Sequence, residues 1–172
     1  MSENNTNANP NTGGDAAQAP QRQMIIQKIY VKDASFESPN APQIFSQAQW
    51  QPDVSVQLQN AAVALAETLY EVTLTATITT KMDDKTAYLA EVQQAGIFDI
   101  RGLEREELAR LLGTICPHTL FPYLRQALDD LIKKGGFPEF LLAPVNFDAI
   151  YDDQVRKKQQ PEQAGPPSAP SH

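Results

Sequence analysis

LEREELARLLGTICPHTLFPYLRQALDDLIKK, from Leu103 to Lys134, is the stretch on which the fold turns. Leu108, Leu111, Leu112 and Ile115 stand at i, i+3, i+4 and i+7, and Leu120, Leu124, Ala127, Leu128, Leu131 and Ile132 resume the stripe. That is the spacing of one helical face. Pro117 and Pro122 each lack an N–H and clash with the preceding turn, so the pattern predicts a long helix kinked or restarted between Cys116 and Pro122. Lys133 and Lys134 place positive charge against the negative end of the helix dipole, and Gly135-Gly136 stops the helix. A helix of this length is longer than the globular average, and its apolar stripe needs a sheet or a second subunit to cover it.

Upstream, the chain reads as that sheet. Met24 to Val31 (MIIQKIYV) is β-branched and aromatic, ending at the polar Lys32 and Asp33, which predicts a first strand. Ser38 to Pro52 holds Pro39, Pro42 and Pro52 together with Phe45 and Trp50, so a long extended loop is expected, with rings that pack on the core or form a binding surface. Asp53 to Gln59 alternates with Val54, Val56 and Leu58 on one face. Leu69 to Thr80 alternates too, Tyr70, Val72, Leu74, Ala76 and Ile78 opposing Glu71 and a row of threonines. Such patterns describe a sheet covered on one side and wet on the other. Met82-Asp83-Asp84-Lys85 closes a hairpin to a fourth strand, Thr86 to Gln94, where Tyr88, Ala90 and Val92 continue the buried register and Leu89, Glu91 and Gln93 face outward. Leu89 beside Glu91 on an open face reads either as an ordinary exposed leucine or as the apolar centre of a docking site with an acidic rim. After the long helix, Phe137 to Phe147 is apolar and proline-punctuated, and Asn146 caps a last short helix bearing Phe147, Ile150, Tyr151 and Val155.

The expected fold is α+β: a four-stranded antiparallel sheet with one long kinked helix and a short C-terminal helix packed on one face. Residues 1–22 and 157–172 read as disordered tails around a domain at 23–156, because the ends are rich in Asn, Gln, Gly, Ala and Pro and offer little to bury. A core of roughly 130 residues supports a modest hydrophobic interior that oligomerisation would extend.

Composition excludes several functions. The formal net charge is −7 and no stretch is strongly basic, so nucleic acid is an unsuitable partner. The start of the chain lacks signal-peptide character and the apolar runs fall short of the ~20 residues needed to span a bilayer, which reads as a cytosolic protein without membrane insertion. A lone cysteine, Cys116, leaves no intrachain disulfide. His118 and His172 are the only histidines, so no paired zinc spacing exists. Cys116 near His118 lacks an orienting partner and reads as a buried thiol at the kink. The doublets Asp83-Asp84, Asp129-Asp130 and Asp152-Asp153 sit in a turn and on helix faces, where solvated acids are ordinary. No catalytic, metal or cofactor site emerges. Binding is favoured over catalysis.

Four strings then carry a resemblance: YVKDASFESPNAP (Tyr30 to Pro42), EVQQAGIF (Glu91 to Phe98), CPHTLFPYLR (Cys116 to Arg125) and LAPVNFDAIY (Leu142 to Tyr151). Together, in this order and spacing, they resemble the SecB family of bacterial protein-export chaperones over about Ile25 to Gln154. The resemblance implies an ATP-independent holdase that binds unfolded preproteins in the cytosol and delivers them to the SecA ATPase. It also implies a homotetramer, a dimer of dimers with the long helices between subunits, where the helix face Leu108, Leu111, Leu112 and Ile115 would lie. SecA's zinc-bearing C-terminal segment would dock on Asp33, Glu37, Leu89 and Glu91. The client groove would carry Phe45, Trp50, Phe147, Ile150 and Tyr151. Two other readings of the same fold stay open: an adaptor for one folded partner, and a homo-oligomer that binds a small molecule between helix and sheet.

Overall fold

The structure is a computed structural model that describes residues 21–46 and 49–159. Most of the two expected tails, and Gln47 and Ala48, lie outside the described residues. Four strands, β1 (Gln23–Glu37), β2 (Asp53–Ala64), β3 (Leu69–Met82) and β4 (Lys85–Arg101), form one antiparallel sheet in the order β1-β4-β3-β2. Helices α1 (Arg105–Gly113), α2 (Ile115–Lys134) and α3 (Phe147–Gln159) follow, so the ordered C-terminal helix runs past the expected boundary at residue 156. A short 3-10 turn, Gln43–Ser46, interrupts the proline-rich loop.

The alternation of β3 sorts its side chains as expected. Val72, Leu74, Ala76 and Ile78 are fully buried beneath α2, while Thr73, Thr75, Thr77 and Thr79 are half-buried on the outer face. From α2, Leu120, Leu124, Leu128 and Ile132 meet them with no exposure at all. Truncating any one of these leucines to alanine removes transfer energy and leaves a cavity, about 2–5 kcal/mol. Asp83 and Asp84 both adopt positive φ, 46° and 63°, the conformation a two-residue hairpin needs to match the strand twist.

Three expectations are corrected. The first strand does not end at Lys32 and Asp33. It runs on to Glu37, with register irregularities between Ile26 and Lys28 and between Val31 and Asp33. The second strand also runs past Gln59, where its alternation was read to end, and continues to Ala64. The helix break falls at Thr114 (φ −126°, ψ −67°), before Cys116 rather than after it. Pro117 is then the third residue of α2, inside the first turn where no intrahelical N–H bond is required. Pro122 stands inside α2 on its exposed side, where water can reach the carbonyl it deprives of a donor.

Val54 and Val56 also depart from expectation. They point to the helix side of the sheet, opposite Thr80 and Ile78, yet remain 42% and 44% exposed. Alternation reports which face a side chain takes, not whether anything covers it. Here α2 lies over β3 and β4, leaving the helix side of edge strand β2 open.

Candidate functional site

Two surfaces gather the residues singled out above. The first is the outer face of the sheet, and a β-bulge builds half of it. Val31 pairs with Gln94 and Asp33 with Gln93, so Lys32 is the extra residue of β1. In an uninterrupted strand Val31 and Asp33 would share a face. The insertion advances the phase, turning Asp33, Ser35 and Glu37 outward while sending Phe36 inward.

The register then aligns Glu37 with Leu89 and Thr79, Ser35 with Glu91 and Thr77, and Asp33 with Gln93 and Thr75. Asp33, Glu37, Leu89 and Glu91 therefore share one patch, with diagonal neighbours about 7 Å apart. Leu89 is 37% exposed at its centre. The Thr77 hydroxyl donates to Glu91 Oε2 at 2.7 Å, which orients that carboxylate. Among the described residues no lysine or arginine lies within ion-pair distance of Asp33, Glu37 or Glu91. The patch presents unneutralised negative charge around an apolar side chain.

A polar clasp steadies the bulge beside it. The Tyr30 hydroxyl donates to Glu71, and Lys32 Nζ reaches the other Glu71 oxygen at 2.7 Å. These contacts run from β1 to β3 across β4, over the small side chain of Ala95. The Lys32 and Tyr30 hydrogen bonds hold the Glu71 carboxyl below the usual glutamate range, against the effect of burial. The same bond raises the Tyr30 phenol.

The second surface is aromatic. Phe137 is buried, and four rings surround it: Tyr88 at 4.7 Å between centroids, Phe45 at 5.0 Å, Trp50 at 5.5 Å and Phe36 at 6.1 Å. Tilted packing at such distances is favoured by the ring quadrupoles. Phe45 and Trp50 nevertheless remain 50% and 39% exposed. They are rings held on a rigid floor with one side open.

Phe147, Ile150 and Tyr151 are not part of that cluster. Phe147 is buried against Phe121 at 5.9 Å and His118 at 6.3 Å, near the start of α2. Ile150 is 40% exposed beside Leu58, Leu74 and Gly113. Tyr151 covers Gly113, where an added Cβ would stand 2.3 Å from its ring, and Arg110 lies 5.7 Å above the ring while pairing with Asp148 and Asp152. The two groups lie toward opposite ends of α2, a helix of 20 residues and so about 30 Å long. Residues 137–146 connect them as a strap along the helix. Its hub, Phe137, was absent from the site expected from sequence. The aromatic pair Phe137 and Phe140 after Gly135-Gly136 was its one local signal.

The remaining chemistry is inert or structural. Burial pushes the Cys116 thiol up to about 12, far from thiolate reactivity. Asp129 is 7% exposed rather than solvated, as its doublet suggested, and pairs with Lys133. Leu108, Leu111 and Leu112 are half-buried against the chain's own core, whereas Ile115 is 47% exposed. An open cleft of about 730 Å³ lies between α1 and α3, bordered by Arg105, Arg110, Tyr151 and Arg156. Among the described residues no helix is long and apolar enough to cross a membrane.

Comparison with known proteins bears on the chain as a whole. The family model described as Preprotein translocase subunit SecB matches residues 17–158. Protein-export protein SecB of Methylococcus capsulatus is 53% identical over 150 residues, spanning 87% of this chain and 96% of its own length. That of Nitrosococcus oceani is 50% identical over 160 residues, spanning 92% of this chain and 94% of its own. Among solved structures, a SecB-like chaperone of Mycobacterium tuberculosis in complex with an antitoxin peptide superposes with a TM-score of 0.60 at 19% identity. It covers 71% of this chain and 90% of that one, a likeness of fold.

Proposed function

Because this chain belongs to the SecB family of protein-export chaperones, we propose that it is a cytoplasmic holdase that binds unfolded preproteins and passes them to the SecA ATPase. The observation that carries this reading is the pair of half-exposed rings, Phe45 and Trp50, seated on buried Phe137. Preformed apolar surface of this kind accepts many side chains without selecting one sequence. The open edge of β2, with Val54 and Val56 beside it, offers main-chain hydrogen bonds to an extended client. Ile150 and Tyr151 serve a second stretch of the same client, with Phe147 buried in the core behind them rather than in the groove, since an extended chain of about ten residues spans the distance between the two groups. A net charge of −7 attracts the basic segments of such clients.

SecA docks on the outer face. Asp33, Glu37 and Glu91 receive its cationic, zinc-bearing C-terminal segment, and Leu89 receives an apolar side chain. The working form is a homotetramer, a dimer of dimers, with the helix face around Leu108, Leu111, Leu112 and Ile115 between subunits. No cofactor is required for either binding event.

One experiment separates the two surfaces. Glu91→Lys reverses charge on the outer face and should weaken SecA by about tenfold or more while leaving an unfolded client bound normally. Trp50→Ala should do the opposite. Titration calorimetry with both partners checks each arm, and unchanged SecA affinity in folded Glu91→Lys would remove the outer-face assignment.

A further inference from the structure

The strap of residues 137–146 carries the floor of the aromatic surface but has no regular secondary structure of its own. One side chain ties its middle to α2. Asp129 Oδ1 accepts the Phe140 N–H at 3.1 Å, and Asp129 Oδ2 pairs with Lys133 Nζ at 2.6 Å. Burying an acid in this way is costly unless both oxygens are satisfied, and here both are. Arg125, Asp130 and Lys133 on α2, with Glu139 on the strap, are the charged groups around it. The hydrogen bond from Lys133 holds the carboxyl below the usual aspartate range, helped by the Phe140 N–H.

We propose that Asp129 is a positioning residue for client binding: by fixing the Phe140 amide it sets Phe137, three residues upstream, and through Phe137 the pose of Phe45 and Trp50. The binding half of this inference rests on the client-groove reading above. Its geometric half does not. Gly135 supports the same arrangement from the other side, because an added Cβ there would stand 2.1 Å from the Phe36 ring, one of the four around Phe137. Between that close approach and the Asp129 bond, the segment carrying Phe137 has little freedom to shift.

The chain has a single tryptophan, so the fluorescence of Trp50 reports on the cluster directly. The test uses the full chain as its native oligomer, with Asp129→Ala, Asp129→Asn and Asp130→Ala. Acrylamide quenching of Trp50 reads the rings, and the affinity for carboxymethylated, permanently unfolded α-lactalbumin reads the groove. Asp129→Ala should raise the quenching constant about twofold and weaken the unfolded chain about tenfold, the loss of one charge-assisted hydrogen bond. Asp129→Asn keeps an acceptor oxygen for Phe140 and should retain most of both. Asp130→Ala, at a half-buried neighbour hydrogen-bonded to Gln126, should retain both fully.

Unchanged Trp50 quenching in Asp129→Ala overturns the proposal at Asp129. Increased quenching with full affinity for the unfolded chain overturns it at the groove instead, by removing the ring cluster from client binding. If Asp129→Ala does not fold, amide exchange in the parent decides. A Phe140 amide protected about a hundredfold more than that of Glu139 supports the tie, and equal rates overturn it.

Discussion

Glu71 shows how much one side chain does on an open sheet face. It accepts hydrogen bonds from Tyr30 and Lys32 and so links β1 to β3 over the intervening strand, beside the bulge that turns Asp33 and Glu37 outward. Its folded pKa is lowered, so its stabilisation is fully present above the unfolded value and is lost as pH falls through the folded one. Glu71→Gln should cost about 1 kcal/mol at neutral pH, the worth of a hydrogen-bond partner. The gap in urea midpoint between parent and variant should shrink below about pH 4, the ordinary range of a glutamate. The raised Tyr30 phenol has the opposite sign. Its contribution is present below the usual tyrosine range and fades as pH rises through the folded value. A gap constant from pH 3 to pH 7 would mean that the Glu71 charge contributes nothing to the clasp.

At the scale of elements, one inserted residue decides what both faces of β1 carry. With Lys32 in place, Phe36 stacks on Tyr88 at 5.7 Å inside the molecule while Glu37 stands opposite Leu89 outside. Inserting one alanine between Asp33 and Ala34 shifts the phase after the bulge, which puts Phe36 in water and Ser35 and Glu37 against the core, or else breaks the strand. Either result should lower the thermal midpoint by about 10 °C or more, on the roughly 2–4 °C per kcal/mol expected of a domain approaching 150 residues. It should also redden the Trp50 emission. Deleting Glu67, in the turn between β2 and β3, is the control and should be tolerated. A normal melt for the insertion would show that the phase of β1 is incidental to the fold. The helical layer depends on a comparable local event. The break at Thr114, whose hydroxyl donates to the Arg110 carbonyl at 2.8 Å, separates α1 from α2. That lets α1 and α3 close over one end of the sheet, with Tyr151 against Gly113.

For the whole molecule, the distribution of uncovered apolar surface is the informative feature. Ile26 and Val31 on β1, Val54 and Val56 on β2, and Ile115 at the start of α2 are all 42–50% exposed, at positions flanking the buried core. Uncovered apolar surface of this kind is what the proposed tetramer would bury. Ile115→Asp should therefore lower the mass seen by light scattering without altering circular dichroism, and an unchanged mass would remove the α1–α2 face from the interface. The strand order along the chain, the inner and outer sides of β3 and β4, the Asp83-Asp84 turn and the Asn146 cap, whose Oδ1 accepts the Ala149 N–H at 3.0 Å, are all legible in the residues alone. Each is a repeat or a local hydrogen bond that the backbone imposes within a few residues. Leu89 and Glu91 were legible as outward-facing for that reason, and the four matched strings supplied Asp33 and Glu37. That those two acids join Leu89 emerges only on folding, because a bulge changes the phase of a strand without any signal in its alternation. The tertiary structure alone placed Phe137 under Phe45 and Trp50, and Asp129 beneath the strap. These contacts join segments distant in the chain, and their energy comes from burial and pairing that exist only once the sheet and α2 have closed on each other.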